Sequence, residues 1–133
     1  GPLTLVLACR ASFSPGIARE DGAVGVRCSS HPAALELARR SHQVGVGPLT
    51  ATSLNRSGQA PARSRMEAEK WVAGSSPEAQ LQLLDTPIEA GGGPPSTVVD
   101  LAGDQPEVLR AGALEVDPVV WLESRGLFGT GVC

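Results

Sequence analysis

Short apolar runs, each broken within a few residues by glycine, proline or a polar cluster, set the limits on what this chain can become. The clearest is Leu3–Ala8, a continuous apolar run with a β-branched valine, which reads as a buried strand. Ala11–Asp21 carries Ser, Pro and Gly and reads as a loop, and Ala23–Arg27 follows as a second short strand. Ser29-Ser30-His31-Pro32 supplies helix-start chemistry, because proline is tolerated in a first helical turn. The helix predicted over Pro32–Ser41 turns Ala34, Leu35, Leu37 and Ala38 to its buried side. Pro48–Thr52 is predicted as a third strand, and Ser53–Arg63 is a polar loop without hydrophobic periodicity. Ser64-x-x-Glu67 is a capping box that opens a helix to about Val72. Ser76-Pro77 starts a short helix leading into Leu81–Leu84, and Gly91–Pro95 is a tight loop. Two strands, Ser96–Leu101 and Glu107–Arg110, are short enough to pair antiparallel, and Asp117-Pro118 caps a closing helix through Ser124. Strands alternating with helices imply an α/β domain.

The 133 residues suit one domain, 1–133, and a chain of that length can bury roughly two-thirds of its unfolded surface. Only 3% of residues are aromatic, so Leu, Val and Ala must build the core. No apolar run approaches the roughly 18 residues of a membrane span. The opening residues lack the basic flank and cleavage site of a secretion signal. With no initiator Met, the chain reads as a fragment that begins inside a turn feeding its first strand, which would leave that strand as an exposed edge. Cys9, Cys28 and Cys133 are far apart and odd in number, which argues against a disulfide framework or a zinc site and suits a reducing cytoplasm. His31 and His42 are not at metal-ligand spacing, so no metal-binding residues are assigned.

The net charge of −3 conceals a polarised chain: residues 1–66 carry +5 and residues 67–133 carry −8. No acid occurs between Glu36 and Glu67, a stretch that holds Arg39, Arg40, Arg56, Arg63 and Arg65. Such a stretch favours an anion and admits RNA contact over residues 39–65, although it is equally an arginine-rich surface. Arg110 is the one basic residue between Lys70 and Arg125, serving either a ligand or a structural ion pair.

No GxSxG elbow, HExxH, Walker loop or GxGxxG is present, so the common hydrolase, zinc-protease and dinucleotide readings fall away. Polar residues at strand ends remain. Thr52-Ser53-Leu54-Asn55 can hold phosphate or carboxylate oxygens, or simply form a turn. Arg27 can grip a carboxylate through two parallel hydrogen bonds, or make a rim salt bridge. Gly91-Gly92-Gly93-Pro94-Pro95-Ser96-Thr97 can turn backbone N–H groups toward an anion, or connect two strands. Read from residues alone, the chain is an α/β domain with an anion site.

The order of the pieces says more. GPLTLVL, VGVR followed by HP, PLTATSLNRSG, PSTVVDL and VLRAG together closely resemble the YrdC-like (TsaC) threonylcarbamoyl-AMP synthase family across residues 1–112, with a terminal helix and tail over 113–133. The resemblance implies a twisted mixed sheet with flanking helices, of which this chain would be the C-terminal two-thirds. It implies a cytoplasmic nucleotidyltransferase that joins threonine, bicarbonate and ATP, with Mg2+ on the phosphates, into threonylcarbamoyl-AMP and pyrophosphate. A tRNA-modification transferase complex would then use the product. Carried over by motif, Arg27, Ala51 and Ser96 would bind threonine, and Ser53, Asn55 and Arg110 would bind ATP. No residue is implied as a catalytic acid, base or nucleophile.

The sequence also departs from the family pattern. The Pro-Thr-x-Thr-x-Tyr-Gly turn and the Lys-x-Arg clamp have no counterpart in it. Leu54, Arg56, Pro61 and Ala111 replace usual residues, and Cys28-Ser29-Ser30 replaces the usual turn before His31-Pro32. Two other readings are a non-catalytic RNA-binding paralogue and a carbamoyl-adenylate-forming domain of the hydrogenase-maturation type.

Overall fold

The computed structural model describes residues 2–85 and 93–126. In chain order the elements are β1 (Leu3–Ala8), β2 (Ala23–Val26), α1 (Pro32–Gln43), α2 (Arg65–Ala73), a 3-10 turn (Pro77–Ala79), β3 (Thr97–Asp100), β4 (Glu107–Arg110) and α3 (Pro118–Ser124). They divide into two units, residues 2–30 with 93–126, and residues 31–85.

The first unit is built on a mixed four-stranded sheet ordered β2-β1-β3-β4. β1 pairs antiparallel with β2, β3 pairs antiparallel with β4, and the two central strands run parallel. A parallel pair cannot be joined by a tight turn, so the chain leaves the sheet after β2 and returns at β3. This is the expected α/β class with a mixed sheet. One expectation fails: β1 has a neighbour on each side and is no edge, because β3 takes the second flank. The edges are β2 and β4.

The core lies along the central strands. Val99 and Leu122 are fully buried, and Val6 and Ala23 nearly so. Burying Val99 and Leu122 contributes roughly 1.5–3 kcal/mol each. Leu122 is delivered by α3, whose start is fixed as predicted: the Asp117 carboxylate accepts hydrogen bonds from Val119 N (2.9 Å) and Val120 N (3.2 Å). The segment after β4 folds back over the start of β3. Ala113 N donates to the Pro95 carbonyl at 2.8 Å, while Gly112 N and Leu114 N both donate to Thr97 Oγ1, at 3.1 and 3.2 Å. Gly112 passes so close that a Cβ there would lie 2.3 Å from the Pro95 carbonyl oxygen and 2.5 Å from the Ser96 carbonyl carbon.

In the second unit, α2 opens with the predicted capping box. Glu67 N donates to Ser64 Oγ at 3.2 Å, and the Glu67 carboxylate accepts from Ser64 N at 3.3 Å and from Arg63 N at 2.6 Å. α1 runs two residues beyond its predicted end, but its apolar side is not covered: Leu35 and Leu37 are 51% and 49% exposed. Its one buried residue is Ser41, whose hydroxyl donates to the Gly47 carbonyl at 2.6 Å. The predicted strand Pro48–Thr52 has no regular structure and no partner in the sheet. Its brief apolar run marks a segment that could pair, but strand formation needs a neighbouring strand. The helix predicted from Ser76 is the single 3-10 turn, ended by Gln80 at φ 48°. Gly91 and Gly92 of the predicted glycine loop and the tail from residue 127 lie outside the described residues.

Candidate functional site

The alternating strand directions decide which residues meet. β1 and β3 begin, and β2 and β4 finish, at the same end of the sheet. Leu5 is level with Val26, Thr4 with Val98, and Val98 with Arg110. Arg27 follows directly after β2 and Ser96 directly precedes β3, so both belong to this end. Neighbouring strands stand about 4.8 Å apart, which puts the backbones of Arg27 and Arg110 roughly 14 Å apart across the sheet with Ser96 between them. Three of the six predicted site residues are therefore collected by one sheet edge line.

Ser96 is the centre of this cluster and is itself buried. Its hydroxyl lies 2.8 Å from Thr4 Oγ1. Arg110 Nη2 donates to the Ser96 carbonyl at 2.8 Å and to Ser96 Oγ at 3.2 Å, and Nε donates to the same carbonyl at 3.1 Å. Arg110 thus holds Ser96 in a fork, as planar guanidinium geometry allows. Arg27 is exposed and makes no ion pair or hydrogen bond with a side chain among the described residues. Of the two basic residues, Arg27 is the one available to an incoming anion, and Arg110 is engaged with the strand it supports.

The other end of the sheet is closed by an ion-pair knot. Arg19 donates through Nε to Asp21 Oδ1 at 3.1 Å, and its two terminal nitrogens meet Asp21 Oδ2 and Asp100 Oδ2. Asp21 also accepts from Ala23 N at 3.0 Å, and Asp100 from Ala102 N at 2.8 Å. The Arg19 guanidinium holds the Asp21 carboxyl down at about 2, and the Ala102 N–H followed by Arg19 lowers that of Asp100. Ligands of open α/β sheets commonly bind beyond the carboxyl ends of parallel strands. Here those ends carry the knot, and Arg27, Ser96 and Arg110 lie at the opposite end.

Ala51, Ser53 and Asn55 belong to the second unit. Ser53 Oγ donates to Asn55 Oδ1, and Asn55 Nδ2 donates to the carbonyls of Arg56 and Gln59, both at 3.0 Å. Ala62 N closes the loop onto the Leu54 carbonyl at 2.9 Å. The amide of Asn55 is spent on shaping its own loop, as a turn-forming residue would be. An open groove of about 560 Å³ beside the loop is lined by Arg56, Gln59, Lys70 and Trp71, among others. The basic stretch is partly neutralised: Glu36 accepts from Arg39 at 2.8 Å and Arg40 at 2.6 Å, and Arg65 pairs with Glu69 and Asp85, both at 2.9 Å. Arg39, followed by Arg40, depresses the Glu36 carboxyl to about 2.

Sequence reasoning missed Thr4 and Gly112, and named Thr97 only as the end of the glycine-rich loop. Thr4 was legible in principle as the single hydroxyl within the apolar run Leu3–Ala8. Gly112 followed Arg110 in the LRAG element, but its tight approach to Ser96 needs the fold. Among the described residues no group of three or more His, Cys, Asp or Glu side chains is placed to hold a metal. No helix among them is long and apolar enough to cross a membrane.

Comparison with known proteins gives a consistent answer. The family model Sua5/YciO/YrdC, described as "Telomere recombination", matches residues 1–112. Two curated proteins named "Putative threonylcarbamoyl-AMP synthase", from Mycobacterium tuberculosis strains CDC 1551 / Oshkosh and ATCC 25618 / H37Rv, are each 33% identical to the chain over 132 residues. The alignment covers 97% of this chain and 56% of each relative, so the chain spans about half the length of the curated proteins it matches. No solved structure gives a significant match. A family model that matches residues 1–112 of the 133 shows that this chain belongs to the Sua5/YciO/YrdC family.

Proposed function

We propose that this chain is a single YrdC-like domain, the C-terminal part of an L-threonylcarbamoyladenylate synthase, making threonylcarbamoyl-AMP and pyrophosphate from threonine, bicarbonate and ATP. The observation that carries the reading is the gathering of Arg27, Ser96 and Arg110 at one sheet end in a member of this family. Arg27 presents an unengaged guanidinium suited to the threonine carboxylate, and Ser96 presents a hydroxyl held from behind by Arg110. On the nucleotide side, Ser53 and Asn55 form a pre-shaped loop, with Arg56 and Lys70 lining the neighbouring groove.

The chemistry needs no protein nucleophile. The threonine amine and bicarbonate condense to a carbamate and release water. A carbamate oxygen then bonds to the α-phosphorus of ATP, and the bond from that phosphorus to the bridging oxygen breaks, releasing pyrophosphate. Both partners are anionic, so the residues act by holding them in line and offsetting their charge. Mg2+ would come with the phosphates and neutralise them. The described residues offer it no carboxylate cluster, and none is assigned to it. The product would pass to a tRNA-modification transferase complex, and a cytoplasmic location goes with that proposal. Direct RNA contact through residues 39–65 is the weaker part of the reading, because Arg39, Arg40 and Arg65 already have acidic partners.

The test is pyrophosphate release by the full-length protein with each substrate omitted in turn. Release should require threonine, bicarbonate and ATP together, and serine or glycine should replace threonine poorly. ATP turnover without any amino acid would point to another adenylating activity. Binding of RNA with a steep salt dependence, and of neither threonine nor ATP, would favour the non-catalytic paralogue.

A further inference from the structure

The hydroxyl of Ser96 has one proton to give and two lone pairs to fill. Arg110 can only donate, so Ser96 Oγ must accept the bond from Arg110 Nη2 at 3.2 Å. The remaining contact, with Thr4 Oγ1 at 2.8 Å, can run in either direction. If Ser96 donates to Thr4, its proton is consumed inside the sheet. If Thr4 donates to Ser96, both lone pairs of Ser96 are filled and its proton is left to point at a ligand. Accepting a bond from a guanidinium also polarises the Ser96 O–H and makes it a stronger donor, whose best acceptor is an anionic oxygen. Thr4 Oγ1 has no other hydrogen-bond partner among the described residues, so nothing in the sheet opposes the reversal.

We propose that Thr4 is a positioning residue for the amino-acid substrate. It accepts a hydrogen bond from Ser96 when the site is empty and donates one to Ser96 when a carboxylate arrives. Ser96 then donates outward while keeping both inward bonds. The assignment rests on the reading of Ser96 as a threonine-binding residue and adds to it a residue on a different strand, one that need not touch the substrate. It also explains why a hydroxyl interrupts the apolar sequence of β1 on the strand beside Ser96, where a valine would suit the strand equally well.

The test compares Thr4→Ala with Thr4→Ser in the full-length protein. Both lose the methyl that lies 3.8 Å from the space above Gly25, and they differ only in the hydroxyl. Calorimetric titration with L-threonine should show binding weakened about 3- to 10-fold in Thr4→Ala relative to Thr4→Ser, the scale of one neutral hydrogen bond. ATP affinity should be the same in both variants, while the melting temperature of Thr4→Ala should lie a few degrees below that of Thr4→Ser, because the part-buried bond to Ser96 is lost from the folded protein as well. Equal threonine affinity in the two variants overturns the assignment of Thr4 and leaves the synthase reading standing. A matched loss of threonine and ATP binding in Thr4→Ala also overturns it, in favour of general support of the sheet. Failure of the wild-type protein to bind threonine at all overturns the synthase reading, and the assignment of Thr4 with it.

Discussion

A methyl group on Gly112 would lie 2.3 Å from the Pro95 carbonyl oxygen, closer than any real contact, and the atoms it meets are backbone that cannot swing aside. Gly112→Ala should therefore lower stability by about 3 kcal/mol, as overpacking against fixed atoms does. A urea unfolding midpoint indistinguishable from wild type would contradict the geometry. The two arginines at this sheet end should behave differently from each other. Arg27→Ala removes an exposed group with no side-chain partner among the described residues, so folding should be unaffected. Threonine affinity should fall by roughly 10- to 150-fold, the worth of a charge-assisted hydrogen bond of about 1.5–3 kcal/mol. Arg110→Ala also takes away the fork that holds Ser96, so it should weaken threonine as well as ATP. Calorimetry with each ligand separates the two patterns, and an Arg110→Ala protein that loses ATP alone would show that the fork has no role in placing Ser96.

Elements whose causes are local were legible in the sequence. β1 and β4 have their predicted bounds, and α2 and α3 start at the caps read from Ser64 and Asp117. Errors arose where an element depends on something distant. Pro48–Thr52 lacks a strand partner, and the apolar side of α1 has no cover, although each run looks adequate by itself. The candidate site was legible in its residue types, through Arg27, Ser96 and Arg110, but its organisation was not. That Arg110 grips Ser96 depends on a strand register spanning 14 positions of chain. At this scale acid should act through local ion pairs. Asp21 beside Arg19 and Glu36 beside Arg39 and Arg40 both titrate near 2 when folded, well below their ordinary values of 3.8 and 4.5. The unfolded chain then binds more protons, so the stability these carboxylates contribute is complete above about pH 5 and is lost as pH falls toward 2. Thermal midpoints should be level from pH 6 to 8 and decline below about pH 4.5. Asp21→Asn with Glu36→Gln should flatten that decline, and an unchanged profile would show that these ion pairs do not survive in solution.

Across the whole molecule, apolar surface is left uncovered in each unit. Leu35 and Leu37 on α1, Val26 on the edge strand β2, and Val108 and Leu109 on the edge strand β4 are all about half exposed. Open strand edges with apolar side chains invite pairing with other chains. Residues 1–133 expressed alone should therefore bind a hydrophobic dye in the native state and self-associate as concentration rises. A monodisperse, dye-silent chain with one sharp, reversible melt would be evidence that these surfaces are harmless.

The parallel pairing of β1 with β3 also has a consequence in time. Leu3 stands opposite Thr97, 94 positions later in the chain. A ribosome adding about 5–20 residues per second produces β3 roughly 5–20 s after β1. During that interval β1 can pair with β2 but not with its other neighbour, while residues 31–85 are made and can form their own helices. Bringing the ends of so long a segment together carries an entropic cost that local contacts do not repay. The Ser96 cluster, which needs β1, β3 and β4 together, is consequently among the last parts of the described sheet to form. A chaperone that shields the nascent β1–β2 hairpin would protect the candidate site before any of its β3 and β4 residues had been synthesised.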